Sequence, residues 1–322
     1  MEVLIVAFLD LLGFSALLQA NMEVALDNMN SFNNILKTRF IDNKCHPIEE
    51  YENNYPGDDN FHNFVKKSSI TAFNQMISFS DSLVLGGTDC NLFILQLANF
   101  VATAYINYSE PFRKPFTDIS TVETRRSATG NRNGSIRYHK AFPLLFRGGI
   151  SVGENVGFFN EYHIHNNVFE QTSLNVMGLT YLNAVKLEGA GKGPRLFCDK
   201  SVVENVNDDV KKMIREVNKE NGIYEIIWTI EGCEATGCSS DKWENISNSI
   251  TDKMLPAAIN LYNYYKGNKE LESQYRELLI LVCTGIIKYA VECEKTEDTI
   301  ALINRKLPTE IQFDSTAIAS FI

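Results

Sequence analysis

Val3 to Leu9 is an unbroken apolar run that ends at Asp10, inside an N-terminus that stays largely apolar to Ala20. A strand with one wet face alternates apolar and polar residues; a run without alternation reads as a strand buried on both faces. A secretory leader would open on basic residues, whereas this chain has Glu2 there and Asp10 splitting the apolar stretch. Gly13 then breaks the chain before a helical stretch that continues toward Phe40.

The remaining pattern fixes an order of elements. Residues 43–66 are polar and irregular, the composition of an inserted loop. Ser69 to Leu85 reads as two strands joined by a tight turn around Ser80-Asp81-Ser82, stopping at Gly86-Gly87. Phe93, Leu97, Phe100, Val101, Ala104 and Tyr108 recur at helical spacing. Residues 110–140 form a second irregular insertion, followed by a strand over Leu144–Val152, a helix from about Ser173 to Glu188 and a short strand at Arg195–Cys198. Ile223 to Ile230 reads as a further strand. Strand, helix, hairpin, helix, strand, helix, strand is an α+β order of ferredoxin type. A boundary near residue 235 separates domain 1–235 from a helical extension, 236–322, whose apolar stripe includes Leu278, Val282, Ile286 and Tyr289. That stripe reads as plain core. The run Leu278–Ile287 is too short to span a bilayer.

Forty acidic residues against thirty basic give a net charge of −10, which argues against general binding to nucleic acid or anionic membrane. The seven cysteines are scattered without a CxxC pair; Cys233 and Cys238, the closest two, are followed by no matching pair. Free thiols and a cytoplasmic location are the resulting expectations.

Chemistry is expected at two acids set in apolar surroundings. Asp10 follows Ala7-Phe8-Leu9, and Asp81 lies within Ile77-Ser78-Phe79-Ser80-Asp81-Ser82-Leu83-Val84. A carboxylate at the rim of a core is costly unless it is paired or binds a cation, although an Asp capping a turn is also common. Phe8-Leu9-Asp10-Leu11-Leu12-Gly13-Phe14-Ser15 resembles the first metal-binding motif of class III nucleotidyl cyclases, and Phe79-Ser80-Asp81-Ser82 resembles the turn that carries their second metal aspartate, with Ser80 in place of the usual Gly. Arg147-Gly148-Gly149-Ile150-Ser151-Val152-Gly153 is similar to the family's strand after the second helix. Gly178, Ala184, Leu187 and Glu188, followed by Pro194-Arg195, fit its next helix and strand, so the likeness runs in order over residues 1 to about 200.

The resemblance implies a mechanism. Asp10, Asp81 and the carbonyl of Leu11 would hold two divalent ions, Mg²⁺ or Mn²⁺, for closure of a nucleoside triphosphate to a 3′,5′-cyclic monophosphate with loss of pyrophosphate. The amides of Leu12, Gly13 and Phe14 would cradle phosphate oxygens. Arg147 precedes a Gly-Gly pair, which lets its backbone approach the nucleotide, while its side chain could equally pair with a surface carboxylate. Ile77 stands where purine cyclases have a base-reading lysine, and Asn175 where they have an aspartate. Leu182 replaces the family's asparagine, with Asn183 adjacent, and Lys186 replaces its transition-state arginine.

These departures occur together in the bacterial antiphage cyclases of the Pycsar class, which make cyclic pyrimidine nucleotides. That resemblance implies UTP ahead of CTP as substrate, a homodimer, and a separate effector protein switched on by cyclic UMP or cyclic CMP. A purine cyclase and a non-catalytic nucleotide-binding pseudo-cyclase are the alternatives.

Three other features have plainer readings. The 110–140 segment carries seven basic residues against three acidic ones and reads as a solvated loop, with a lid over a bound triphosphate as its functional alternative. His163 and His165 alternate as on one strand face and read as surface histidines. Gly189-Ala190-Gly191-Lys192-Gly193 follows a helix and lacks the spacing of a phosphate loop, so it reads as a turn.

Overall fold

A computed structural model describes residues 4–42, 54, 56–57, 59–127, 136–154, 156–165, 168–236 and 241–312. The expected buried strand is β1 (Leu4–Leu11), followed by α1 (Phe14–Ala20) and α2 (Met22–Leu36). The single helix expected toward Phe40 is divided at Asn21, whose side chain accepts the Val24 amide at 3.1 Å and so caps a new N-terminus. The chain continues through α3 (Asp59–Ser68), β2 (Gln75–Phe79), β3 (Ser82–Gly87) and α4 (Cys90–Tyr108), the last capped by Asp89 on the Leu92 amide at 3.0 Å. Thus the first insertion is helical from Asp59; residues 43–53 lie outside the described residues.

Next come β4 (Glu123–Ser127), β5 (Ile136–Lys140), β6 (Phe146–Gly153), β7 (Val156–His165), β8 (Val168–Gly178) and α5 (Leu179–Glu188). Then follow β9 (Leu196–Asp199), α6 (Lys200–Glu204), α7 (Asp208–Lys211), β10 (Ile214–Asn218) and β11 (Ile223–Ile226). The last described elements are α8 (Thr229–Thr236), α9 (Lys242–Thr251), α10 (Met254–Tyr265), α11 (Glu272–Val291) and α12 (Thr296–Asn304).

The central sheet has seven strands in the order β10-β11-β9-β6-β1-β3-β2, antiparallel at every junction except β6–β9. Its α+β character and flanking helices agree with the expected fold class. Side-chain alternation along β1 divides the molecule into two layers. Ile5, Ala7, Leu9 and Leu11 face the large core shared with α2, α4 and the C-terminal helices. Val6 and Phe8 face a small cluster with Ile77, Val84 and Ala184, under α5 and the β7–β8 hairpin.

Glycines explain how α5 lies so close. A Cβ on Gly149 would sit 2.0 Å from the Ala184 carbonyl oxygen, and one on Gly153 would sit 2.5 Å from Thr180 Oγ1. Gly149 and Gly153 therefore leave room for a helix directly on β6.

Several expected elements are corrected. The helix expected from about Ser173 begins at Leu179, because residues 168–178 pair with β7 and the chain turns at Gly178, φ 133°. The 110–140 segment contains an antiparallel hairpin, β4–β5, rather than irregular chain throughout; residues 128–135 lie outside the described residues. The strand expected over Ile223–Ile230 stops at Ile226, and Thr229, fully buried with Oγ1 donating to the Leu281 carbonyl at 2.8 Å, opens a helix instead. One core runs through residue 235: Tyr105 donates to the Met254 carbonyl at 2.8 Å, and its ring meets Trp228 edge-on. Helix α4 is long and apolar enough to cross a membrane by composition, and 72% of that window is buried within the fold.

Candidate functional site

Asp10 lies near the end of β1, an interior strand of the sheet, on the face that carries Val6 and Phe8. Its neighbours in the sheet are Ser82 on β3 and Arg147 on β6, one on each side at the same rung. Ser82 Oγ donates to Asp10 Oδ1 at 3.1 Å. Arg147 donates to Asp10 Oδ2 from Nε at 3.2 Å and from Nη2 at 3.0 Å. Asp81 precedes Ser82 in the β2–β3 turn, and its carbonyl accepts the Leu11 amide at 3.0 Å. Sheet register alone thus brings the two expected aspartates, 71 positions apart, to one end of β1.

A third carboxylate closes the group. Glu188, at the last turn of α5, forms an ion pair with Arg147 Nε. Asp10 and Glu188 each keep only 16% of their side chain exposed. Burial pushes the Asp10 carboxyl above its ordinary range against the pull of Arg147, and the Asp81 charge pushes the same way. Burial likewise raises the Glu188 carboxyl, with Arg147 opposing and Asp10 adding to the rise. Asp10 and Glu188 therefore share one guanidinium, and the Asp81 charge acts on Asp10 as well, leaving a surplus of negative charge.

That surplus suits a hard divalent cation, and the donors are oxygens of the type that Mg²⁺ and Mn²⁺ prefer. Among the described residues no three His, Cys, Asp or Glu side chains are grouped as a closed metal site. A cation at Asp10 would therefore complete its shell with main-chain, solvent or ligand oxygens, as magnesium-type sites on phosphates do.

The other expected residues fall at several depths. Leu11, Leu12 and Phe14 are buried, and Gly13, φ 78°, turns the chain from strand into helix. The Leu12 amide donates to the Leu145 carbonyl at 2.8 Å, which takes it into the fold. Ile77 is buried among Val6, Val84 and Ala184. Asn175 is exposed on β8, opposite Phe159, and Asn183 and Lys186 are exposed on α5. His163 and His165 lie in β7, and the histidine side chains fall outside the described residues, as does Cys238. Cys90, Cys198, Cys233, Cys283 and Cys293 are free thiols.

Sequence reasoning placed Ser82 and Glu188 within its motifs but assigned neither a role. Ser82 carries a weak signal, a hydroxyl directly after a turn aspartate. For Glu188 the residues themselves carry none, since an acid ending a helix before Gly189 resembles any solvated terminus.

The fold and site define an α+β protein with an acidic, oxygen-lined centre at one end of β1, inside its seven-stranded sheet. No known family profile matches the chain, and no curated protein matches it. Among solved structures it is similar to an adenylate cyclase of Trypanosoma brucei, with 12% identity over 71% of this chain and 90% of that one and a TM-score of 0.40. It is also similar to the guanylate cyclase domain of RhGC from Catenaria anguillulae in complex with GTP, at 12% identity, 70% and 96% coverage and a TM-score of 0.36. The adenylyl cyclase CyaB from P. aeruginosa gives 12% identity, 70% and 93% coverage and a TM-score of 0.33.

Proposed function

We propose that the chain is a nucleotidyl cyclase of class III type, converting a pyrimidine nucleoside triphosphate, UTP ahead of CTP, to its 3′,5′-cyclic monophosphate and pyrophosphate. The observation that carries this reading is the meeting of Asp10 and Asp81 at one end of β1, in a group with more carboxylates than cations. Two divalent ions bound there supply activation of the ribose 3′-hydroxyl and neutralisation of the triphosphate.

The chain's own residues do the rest. Asp10, Asp81 and the Leu11 carbonyl hold the ions. Arg147 keeps a guanidinium beside them, where its fork matches phosphate oxygens. Lys186 offers a second positive charge from α5, and Gly13 with Phe14 forms the turn at which phosphate would lie. On the same face Ile77 is apolar and buried, so the base meets no charged donor from β2; Asn175 is the uncharged amide assigned to its edge, and Asn183 on α5 is a further amide for the nucleotide. The loss of the lysine with which purine cyclases read the base, together with the resemblance of the motifs, favours a pyrimidine.

The exposed apolar side chains of Met177, Leu179 and Leu182 around the start of α5 support a homodimer formed across this face. The product would act as a second messenger for a cyclic-nucleotide-activated effector in antiphage defence.

Incubation with each of the four triphosphates and Mn²⁺, read by mass spectrometry, tests the proposal. Cyclic UMP or cyclic CMP is expected. Asp10→Asn and Asp81→Asn should each lower turnover by two orders of magnitude or more, about 3 kcal/mol of transition-state stabilisation, with the melting temperature little changed. Product from ATP or GTP alone would remove the pyrimidine assignment. No cyclic product from any triphosphate would remove the cyclase.

A further inference from the structure

Arg147 stands between two acids on different elements. Its Nε and Nη2 lie 3.2 and 3.0 Å from Asp10 Oδ2 on β1, and its Nε also faces Glu188 Oε1 on α5. Both N–H groups donate to Asp10, whereas the buried Glu188 Oε1 faces the guanidinium as an ion-pair partner without accepting a hydrogen bond. The guanidinium is the more exposed partner, with 37% of its side chain accessible against 16% for each acid. It can therefore shift its weight between them without uncovering the core.

A divalent cation on Asp10 would repel a guanidinium resting on the same oxygen. The guanidinium then needs a second anion within reach, or it is left unpaired beside the cation. Glu188 is that anion, and it belongs to a helix held against β6 by Gly149. Taking Asp10 as a cation ligand, as in the function proposed above, we propose that Glu188 is a positioning residue that receives Arg147 when a cation takes Asp10. Retained in this way, the guanidinium stays beside the ion.

The test uses the full chain and Mn²⁺ alone, with free Mn²⁺ read by electron paramagnetic resonance. Glu188→Gln keeps the side-chain size and removes the charge, and should weaken Mn²⁺ binding about tenfold. Arg147→Met should bind Mn²⁺ at least as tightly as the parent, because nothing then competes for Asp10. The decisive comparison is the cycle: in the Arg147→Met background, Glu188→Gln should change Mn²⁺ affinity by less than about twofold. Glu188→Asp, which keeps the charge, should recover part of the lost affinity, and it carries the same cycle should Glu188→Gln melt early.

A structural or purely electrostatic role for Glu188 would weaken Mn²⁺ equally with and without Arg147, and that result overturns the proposal. So does an unchanged affinity in Glu188→Gln, or a parent chain that binds no Mn²⁺. A chain that shows the cycle but forms no cyclic nucleotide fails the function above and keeps this role for Glu188. A chain that makes product without the cycle does the reverse.

Discussion

Ser80 carries a positive φ, 53°, at the first position of the two-residue turn between Phe79 and Ser82. Gly is the usual residue there, because a Cβ in the left-handed region costs about 1–2 kcal/mol. Replacing Ser by Gly relieves that strain but adds about 0.5–1 kcal/mol of unfolded-chain entropy. Relief is the larger quantity, so Ser80→Gly should stabilise the protein by about 0.5–1 kcal/mol, visible as a shift in the urea midpoint at constant slope. A lower midpoint would mean that the Ser80 side chain contributes something the turn geometry does not reveal. At this scale the sequence was informative about which acids meet. Asp10 and Asp81 stood out because each is a lone charge beside an apolar run. Glu188 did not, since what distinguishes it is a contact with a residue 41 positions away.

Helix α5 brings Lys186 and Glu188 to the site, and its seat on β6 depends on a missing side chain. A Cβ at Gly149 would lie 2.0 Å from the Ala184 carbonyl oxygen and 2.6 Å from Leu187 Cβ. Backbone and helix would have to move, so Gly149→Ala should cost about 1–3 kcal/mol, the range for overpacking a well-filled site. The same displacement should loosen the Arg147–Glu188 pair. Gly189→Ala is the control: its Cβ would find only the Lys186 carbonyl oxygen, 3.7 Å away, and its φ is −78°. Thermal melts of the two variants should therefore differ by several degrees, and equal melts would contradict the close-packing account. Elements were legible where the apolar pattern was strong, as an unbroken run in β1 and as helical periodicity in α4 and α11. They were misread where tertiary pairing decided: Ser173-Leu174-Asn175-Val176 suits a helix or a strand locally, and the partner strand β7 settles it.

The molecule is also tied together by buried charge. Lys67 on α3 places its Nζ 3.2 Å from Glu231 Oε1 and 2.8 Å from Glu234 Oε2, both on α8, so a segment that reads as an inserted loop is anchored to the start of the C-terminal helices. Glu231 is 3% exposed at its side chain, and burial pushes its carboxyl up to about 7, with Lys67 pulling down and Glu234 adding to the rise. An acid whose pKa is higher folded than unfolded binds its proton more tightly in the native state. Stability is therefore greatest below the ordinary value of 4.5 and falls as pH rises toward 7. Lys67→Met removes the cation that limits this rise. At pH 5 Glu231 is protonated in the variant and the loss should be small. At pH 8 the variant must bury an unpaired carboxylate or hold a proton against the solution, at a cost of roughly 2–4 kcal/mol. Melts of parent and variant by circular dichroism should therefore diverge as pH rises from 5 to 8, and adding Glu231→Gln should close most of the gap at pH 8. A gap that stays constant with pH would assign the loss to packing of the lysine stem, and the charge account of this tie would be wrong.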